Sequence, residues 1–407
     1  MNRIFLLLAA VIASGTVCAQ QIQGNDSIKP FVGFLNSNSL PGPKEYVLKS
    51  FEKYDIIILS ERHHRELTQY ELITDILKDA GFHGNVYTEI GIFNIRDRIR
   101  SFLTKEGLTK DEKEKELIQI YRDLDYQPIW ENYNFYFLLS SIYDINQGRP
   151  ANDKIMLVPL DMVFYWDSIG CNDQYKMLMD MMEPRQGLPP VISRNDVMAQ
   201  HFTREYYSER SRGKVKALVI LNTYHGYTRI PEYRPNPSEP STYSTAQYIY
   251  KSFPGKTKGI LINGYIFHPK FRLVAGGKWD AAFRVTGNHS AGFDLRDTPF
   301  GKTRFDMYNF GGSDYRTVDF EYIFDGLIFH TPVEDFTLAT GIPGFFDDPA
   351  FVEQFYRRTA ISMDIPEGEV RKSDEIRNFM ESCNKLRIEK TQETDELNRE
   401  MNQWLKK

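Results

Sequence analysis

The 407-residue chain has only three cysteines, Cys18, Cys171 and Cys383. That is too few for a disulfide scaffold, and their spacing is not that of a zinc ribbon. Positive charge is not in surplus either. A net charge of −5 gives no footprint for nucleic acid or an anionic membrane surface. No mature segment reads as a stable membrane span. His-Glu-x-x-His, Gly-x-Ser-x-Gly and Gly-rich phosphate loops are all missing, which sets aside common zinc peptidases, serine hydrolases and P-loop enzymes. There is no internal repeat and no low-complexity tract.

What is present is the composition of an ordinary globular protein, 41% hydrophobic and 26% charged. The aromatic share of 14% suits a core filled with large rings and also suits ligand-facing surfaces. Residues 1–19 read as a signal peptide: Arg3, an apolar stretch from Ile4 to Ala13, then Val17-Cys18-Ala19 before Gln20. Val17 is not the small residue a lipobox carries before its cysteine, so simple secretion to a periplasm or beyond is expected rather than lipidation. After processing, Cys171 and Cys383 allow at most one disulfide.

Buried-strand runs recur near 55–60, 85–89, 155–160, 216–221, 259–263 and 325–330. Helix-compatible stretches separate them: an amphipathic one over 66–80, a highly charged one over 105–116 and an aromatic-rich one over 130–146. This alternation predicts an α/β fold, one large domain over 20–370 with a mainly parallel central sheet, flanking helices and helical insertions. Residues 371–407 read as a charged C-terminal helix packed on the domain. The proline-rich stretch 229–244 reads as a loop, either a lid over a crevice or a surface excursion.

Four apolar runs stop at an acid or a histidine. They end at Glu61-Arg62-His63-His64, at Glu89, at Asp161 and at Asn222-Thr223-Tyr224-His225. In an open parallel sheet such side chains converge outside the carboxyl ends of the strands. A Glu beside a His is a general-base arrangement, with the carboxylate orienting the imidazole that deprotonates water. A buried Glu89 or Asp161 needs a partner, either a catalytic His or an Arg that holds the fold. Arg194, at the start of a helix capped by Ser193 or Asn195, can pair with Glu61 or Glu89 or clamp a substrate anion.

In this order the segments resemble the erythromycin-esterase-like and ChaN-like superfamily, which also takes in Tiki-type proteins. Ser60-Glu61-Arg62-His63-His64 is similar to its opening Gly-Glu-x-His or Gly-Glu-x-x-His, with His63 at one spacing and His64 at the other. Glu89, Arg194-Asn195-Asp196-Val197-Met198-Ala199, Leu221 to His225 and Phe324 to Phe329 continue the likeness, over roughly residues 55–330. Ser60 departs from the family's Gly, and Asn195 stands where its Asp would be, with Asp196 one place later.

The resemblance implies a hydrolase acting on an ester or related carbonyl of a small-molecule substrate. Glu61, His63 or His64, Glu89 and His225 would be catalytic, while Arg194, Asp196 and Asp161 would contact substrate. The alternative it implies is a haem- or iron-binding envelope protein without catalysis. A divalent metal and haem are thus the cofactors left open, with Glu61, a histidine, Glu89 and His225 as adequate N/O ligands.

Overall fold

The structure is a computed structural model that describes residues 23–182, 193–222, 224–230, 243–267, 270–307, 318–391 and 394–406. The signal-peptide segment, and most of the proline-rich loop, lie outside the described residues.

The six apolar runs become strands β1 (Ile56–Glu61), β2 (Gly84–Ile92), β3 (Leu157–Asp161), β4 (Lys216–Asn222), β5 (Thr257–Ile262) and, further on, Gly326–Phe329. The remaining strands are β6 (Tyr265–Phe267), β7 (Phe271–Leu273), β8 (Ala291–Asp294), β10 (Thr337–Thr340) and β11 (Arg387–Lys390), with Gly326–Phe329 numbered β9. Seven of them form one sheet in the order β3-β2-β4-β1-β5-β9-β8, parallel except where β8 runs against β9. The fold is α/β, a single domain built on this sheet.

The continuous apolar runs follow from burial on both faces. Ile57, Leu59, Val86, Leu218 and Ile220 face one apolar cluster, roofed by the helices Thr68–Lys78 and Tyr133–Gln147. Their alternates, Ile56, Ile58, Tyr87, Val219 and Leu221, face another with Phe202 and Tyr206 of the helix Arg194–Ser211. The aromatic-rich stretch does pack inward, with Phe135, Leu138, Leu139 and Ile142 fully buried.

Two sequence expectations are corrected. The charged stretch 105–116 begins its helix only at Lys110, where Thr109 and Glu112 form a capping box, and runs on to Arg122 with Leu117, Ile120 and Tyr121 buried. Residues 371–407 are not one helix. They hold the end of the helix Glu367–Lys372, the helix Asp374–Cys383, strand β11 paired antiparallel to β10, and the helix Thr394–Asn402.

The chain leaves β1 across β4 to reach β2, and leaves β4 across β1 to reach β5. These connections part in opposite directions, so the loops after β1 and β4 open a crevice between them. The register places Glu61 beside Asn222 at its mouth.

Candidate active site

Glu61, the last residue of β1, is 1% exposed, and its carboxylate is bracketed. Tyr70, in the first turn of Thr68–Lys78, donates its hydroxyl to Glu61 Oε2 at 2.7 Å, and His64 Nδ1 contacts Oε1. Burial keeps the Tyr70 hydroxyl protonated far above the usual range, so it remains a donor. The turn carrying His64 is braced from below by Gln69, which accepts from the Arg62 N–H at 2.8 Å and donates to the His63 carbonyl at 2.9 Å.

This settles which of the paired histidines faces the crevice. His64 Nε2 lies 3.8 Å from Glu89 Oε1, and its ring meets Trp130 edge-on. Burial alone would lower its pKa, but Glu61 and then Glu89 raise it to about 9. His63 turns away. Its Nδ1 accepts the Arg65 N–H at 3.1 Å, and burial together with His64 and Arg65 lowers it to about 4.

Glu89 owes its aim to an irregularity in β2. The β2–β3 register shifts between Thr88 and Ile92, and Gly91 there has φ +98°. Glu89 Oε2 accepts the Asn222 N–H at 2.8 Å, while Oε1 lies 3.3 Å from both His225 Nε2 and Arg194 Nη2. Burial would raise this carboxyl, but His225, Arg194 and His64 hold it well below the ordinary range.

Ser193 caps the helix Arg194–Ser211, and Arg194 is its first residue. Its Nε and Nη2 hold both oxygens of Asp161 at 2.8 Å each, a bidentate pair, and its Nη1 lies 3.4 Å from His225 Nε2. Asp161 also accepts the Met162 N–H at 2.7 Å, so both of its oxygens are engaged within the protein. It is the anchor of Arg194. Asp196 is not brought to the crevice; it lies in the first turn of the helix and bonds Gln200 at 3.0 Å.

Asn195 does what the sequence left unassigned. Its Oδ1 accepts from the Thr245 N–H at 3.1 Å and the Thr245 hydroxyl at 2.9 Å, which marks that atom as oxygen. His225 Nδ1, 2.6 Å away, is therefore the donor, and Nε2 is left facing Arg194 and Glu89. His225 reaches this position because Gly226 lies on Ser60. A Cβ on Gly226 would stand 2.1 Å from Ser60 Oγ.

Among the described residues no group of three or more His, Cys, Asp or Glu side chains is disposed to hold a metal ion. The donor chemistry agrees, since His64 Nδ1 is turned to Glu61, His225 Nδ1 to Asn195, and the Arg194 cation occupies the space between Glu89 and Asp161.

Fold and site together define an α/β protein with a His–carboxylate–Arg cluster at the switch point of a parallel sheet. No protein-family model and no curated protein matches the chain. Among solved structures it is similar to the erythromycin esterase EreC in its open conformation, at 12% identity over 75% of this chain and 96% of that one, with a TM-score of 0.41. It is also similar to a succinoglycan biosynthesis protein (11%, 76% and 93%, TM-score 0.40). A third likeness is to haem-bound ChaN of Campylobacter jejuni (14%, 56% and 88%, TM-score 0.31). At these TM-scores the likenesses are loose, and the residue assignments rest on the geometry.

Proposed function

We propose that this chain is an exported hydrolase that uses His64 and Glu61 to activate water against an ester or related carbonyl of a small molecule. The observation that carries the reading is the relay Tyr70–Glu61–His64, which fixes one imidazole nitrogen and turns the other to the crevice. Water loses a proton to His64 Nε2 and attacks the carbonyl carbon. The developing oxyanion falls in the field of Arg194, whose guanidinium is held by Asp161 and Glu89 and so needs no rearrangement during the reaction. Glu89 and Asn195 position His225, and with it the rim of the oxyanion site.

Because His64 stays cationic up to about pH 9, its base form grows as pH rises. The rate on an activated aryl ester should therefore climb towards pH 9. Glu61→Gln should lower kcat/KM on such esters by about 100-fold or more while the circular dichroism and Tm stay those of a folded protein. His225→Ala should act in the same direction. Undiminished rates in both variants would sink the hydrolase. A strong Soret band on adding hemin, with no turnover of any ester, would move the assignment to haem binding.

A further inference from the structure

His225 is held from two sides by the start of one helix. Ser244 caps the helix Thr245–Ser252, accepting the Gln247 N–H at 3.0 Å, and Thr245, wholly buried, is its first residue. The next N–H, that of Ala246, donates to the His225 carbonyl at 2.9 Å. The Thr245 N–H and hydroxyl converge on Asn195 Oδ1 at 3.1 and 2.9 Å, the same atom that His225 Nδ1 meets at 2.6 Å. The helix thus grips the main chain of His225 directly and its ring through Asn195.

An amide beside His225 carries a hazard that a carboxylate does not. Both oxygens of a carboxylate accept, so either can face a ring N–H, whereas an amide turned over presents its NH2 group instead. In that orientation Asn195 would donate to His225 Nδ1, and the neutral ring would have to carry its proton on Nε2. That nitrogen lies 3.4 Å from Arg194 Nη1 and 3.3 Å from Glu89 Oε1. A proton there would meet the guanidinium N–H and draw Glu89 away from Arg194. The Thr245 N–H opposes this turn, because it can only donate and would then face the amide NH2.

We propose that Thr245 is a positioning residue: its N–H and hydroxyl fix the orientation of the Asn195 amide and so keep a proton on His225 Nδ1, a role in turnover that rests on the hydrolase reading. With Nδ1 protonated, Nε2 accepts from Arg194 in the neutral ring and donates to Glu89 in the cation, so neither neighbour is displaced. Arg194 then stays aimed at the developing oxyanion.

Thr245→Pro removes both donors at a position suited to proline. The first residue of a helix needs no N–H for the helix itself, and Ser244 already has φ −70° and ψ 161°, which the residue before a proline favours. Thr245→Val removes the hydroxyl alone. Nitrogen NMR of isotope-labelled histidines, with the His225 signals identified by their loss in His225→Ala, should show the unaltered protein protonated at Nδ1. Thr245→Pro should show an Nε2–H form with Nδ1 bare. Its kcat on an aryl ester should fall about 10-fold or more with KM little changed, as a wrong tautomer does to an active-site histidine. Thr245→Val should show the same change to a smaller extent. In an Asn195→Asp background, where either oxygen accepts, Thr245→Pro should alter neither the Nδ1 proton nor kcat. Nδ1 fully protonated in Thr245→Pro, or equal losses in the two backgrounds, would reduce Thr245 to a structural residue and overturn the proposal. If Thr245→Pro does not fold, Thr245→Val decides, and no Nε2–H form with an undiminished kcat overturns it. An unaltered protein that cleaves no ester removes the hydrolase reading, while the tautomers still decide what Thr245 does.

Discussion

His64 sits between two carboxylates, and that neighbourhood controls its charge. Its folded pKa, about 9, lies above the ordinary value of 6.5, so the stability it contributes is fully present below pH 6.5 and lost as pH rises through 9. The size is on the order of 3 kcal/mol at most. Asp125 and Asp280, both raised by burial to about 7, lose stability in the same sense but below pH 7. The fall in unfolding free energy between pH 7 and 9 should therefore belong mainly to His64. Urea unfolding across that range should flatten in His64→Gln, and an unchanged slope would refute the pairing. At this scale the sequence was partly legible. Glu61, Glu89 and His225 stood at strand ends, where a pattern announces them. Tyr70 looked like one more apolar-face residue of a helix, and nothing in the pattern paired its hydroxyl with Glu61.

The elements supply aim. β2 would carry Glu89 to a different place if it ran straight, and the bend depends on Gly91. A Cβ there would be strained by the positive φ and would stand 3.0 Å from Pro159 Cβ and 3.1 Å from Leu124 Cδ1. Gly91→Ala should cost about 1–3 kcal/mol and should also lower turnover, because Glu89 holds His225, Arg194 and the Asn222 backbone. Gly107→Ala is the matched control. It also has positive φ, +68°, but its Cβ would meet nothing within 4 Å and it lies away from the cluster, so only stability should respond. Equal activity in the two variants would mean the bend does not position Glu89. The main strands were readable because burial on both faces makes them uniformly apolar. β11 was not, since all four of its residues, Arg387 to Lys390, are exposed and its hydrogen bonds to β10 leave no mark on composition.

At the scale of the molecule, the proposed export bears on the cysteine chemistry. Cys171 is exposed and Cys383 buried, and both are free. If the chain is exported as proposed, protein recovered from an exporting host should begin at Gln20 and should carry no internal Cys171–Cys383 disulfide. Retention of Met1, or an internal disulfide, would contradict the secretion reading or this arrangement of the two thiols. No helix among the described residues is long and apolar enough to cross a membrane. By itself the sequence determined the α/β class, the parallel strands and which carboxylates and histidines stand at their ends, because burial and alternation are local patterns written along the chain. Only the tertiary structure decided that His64 rather than His63 enters the crevice, that Arg194 answers to Asp161, and that Asn195 sets the proton on His225. Those pairings link residues far apart in the chain, and their strength depends on burial and on the charges that folding places around each group.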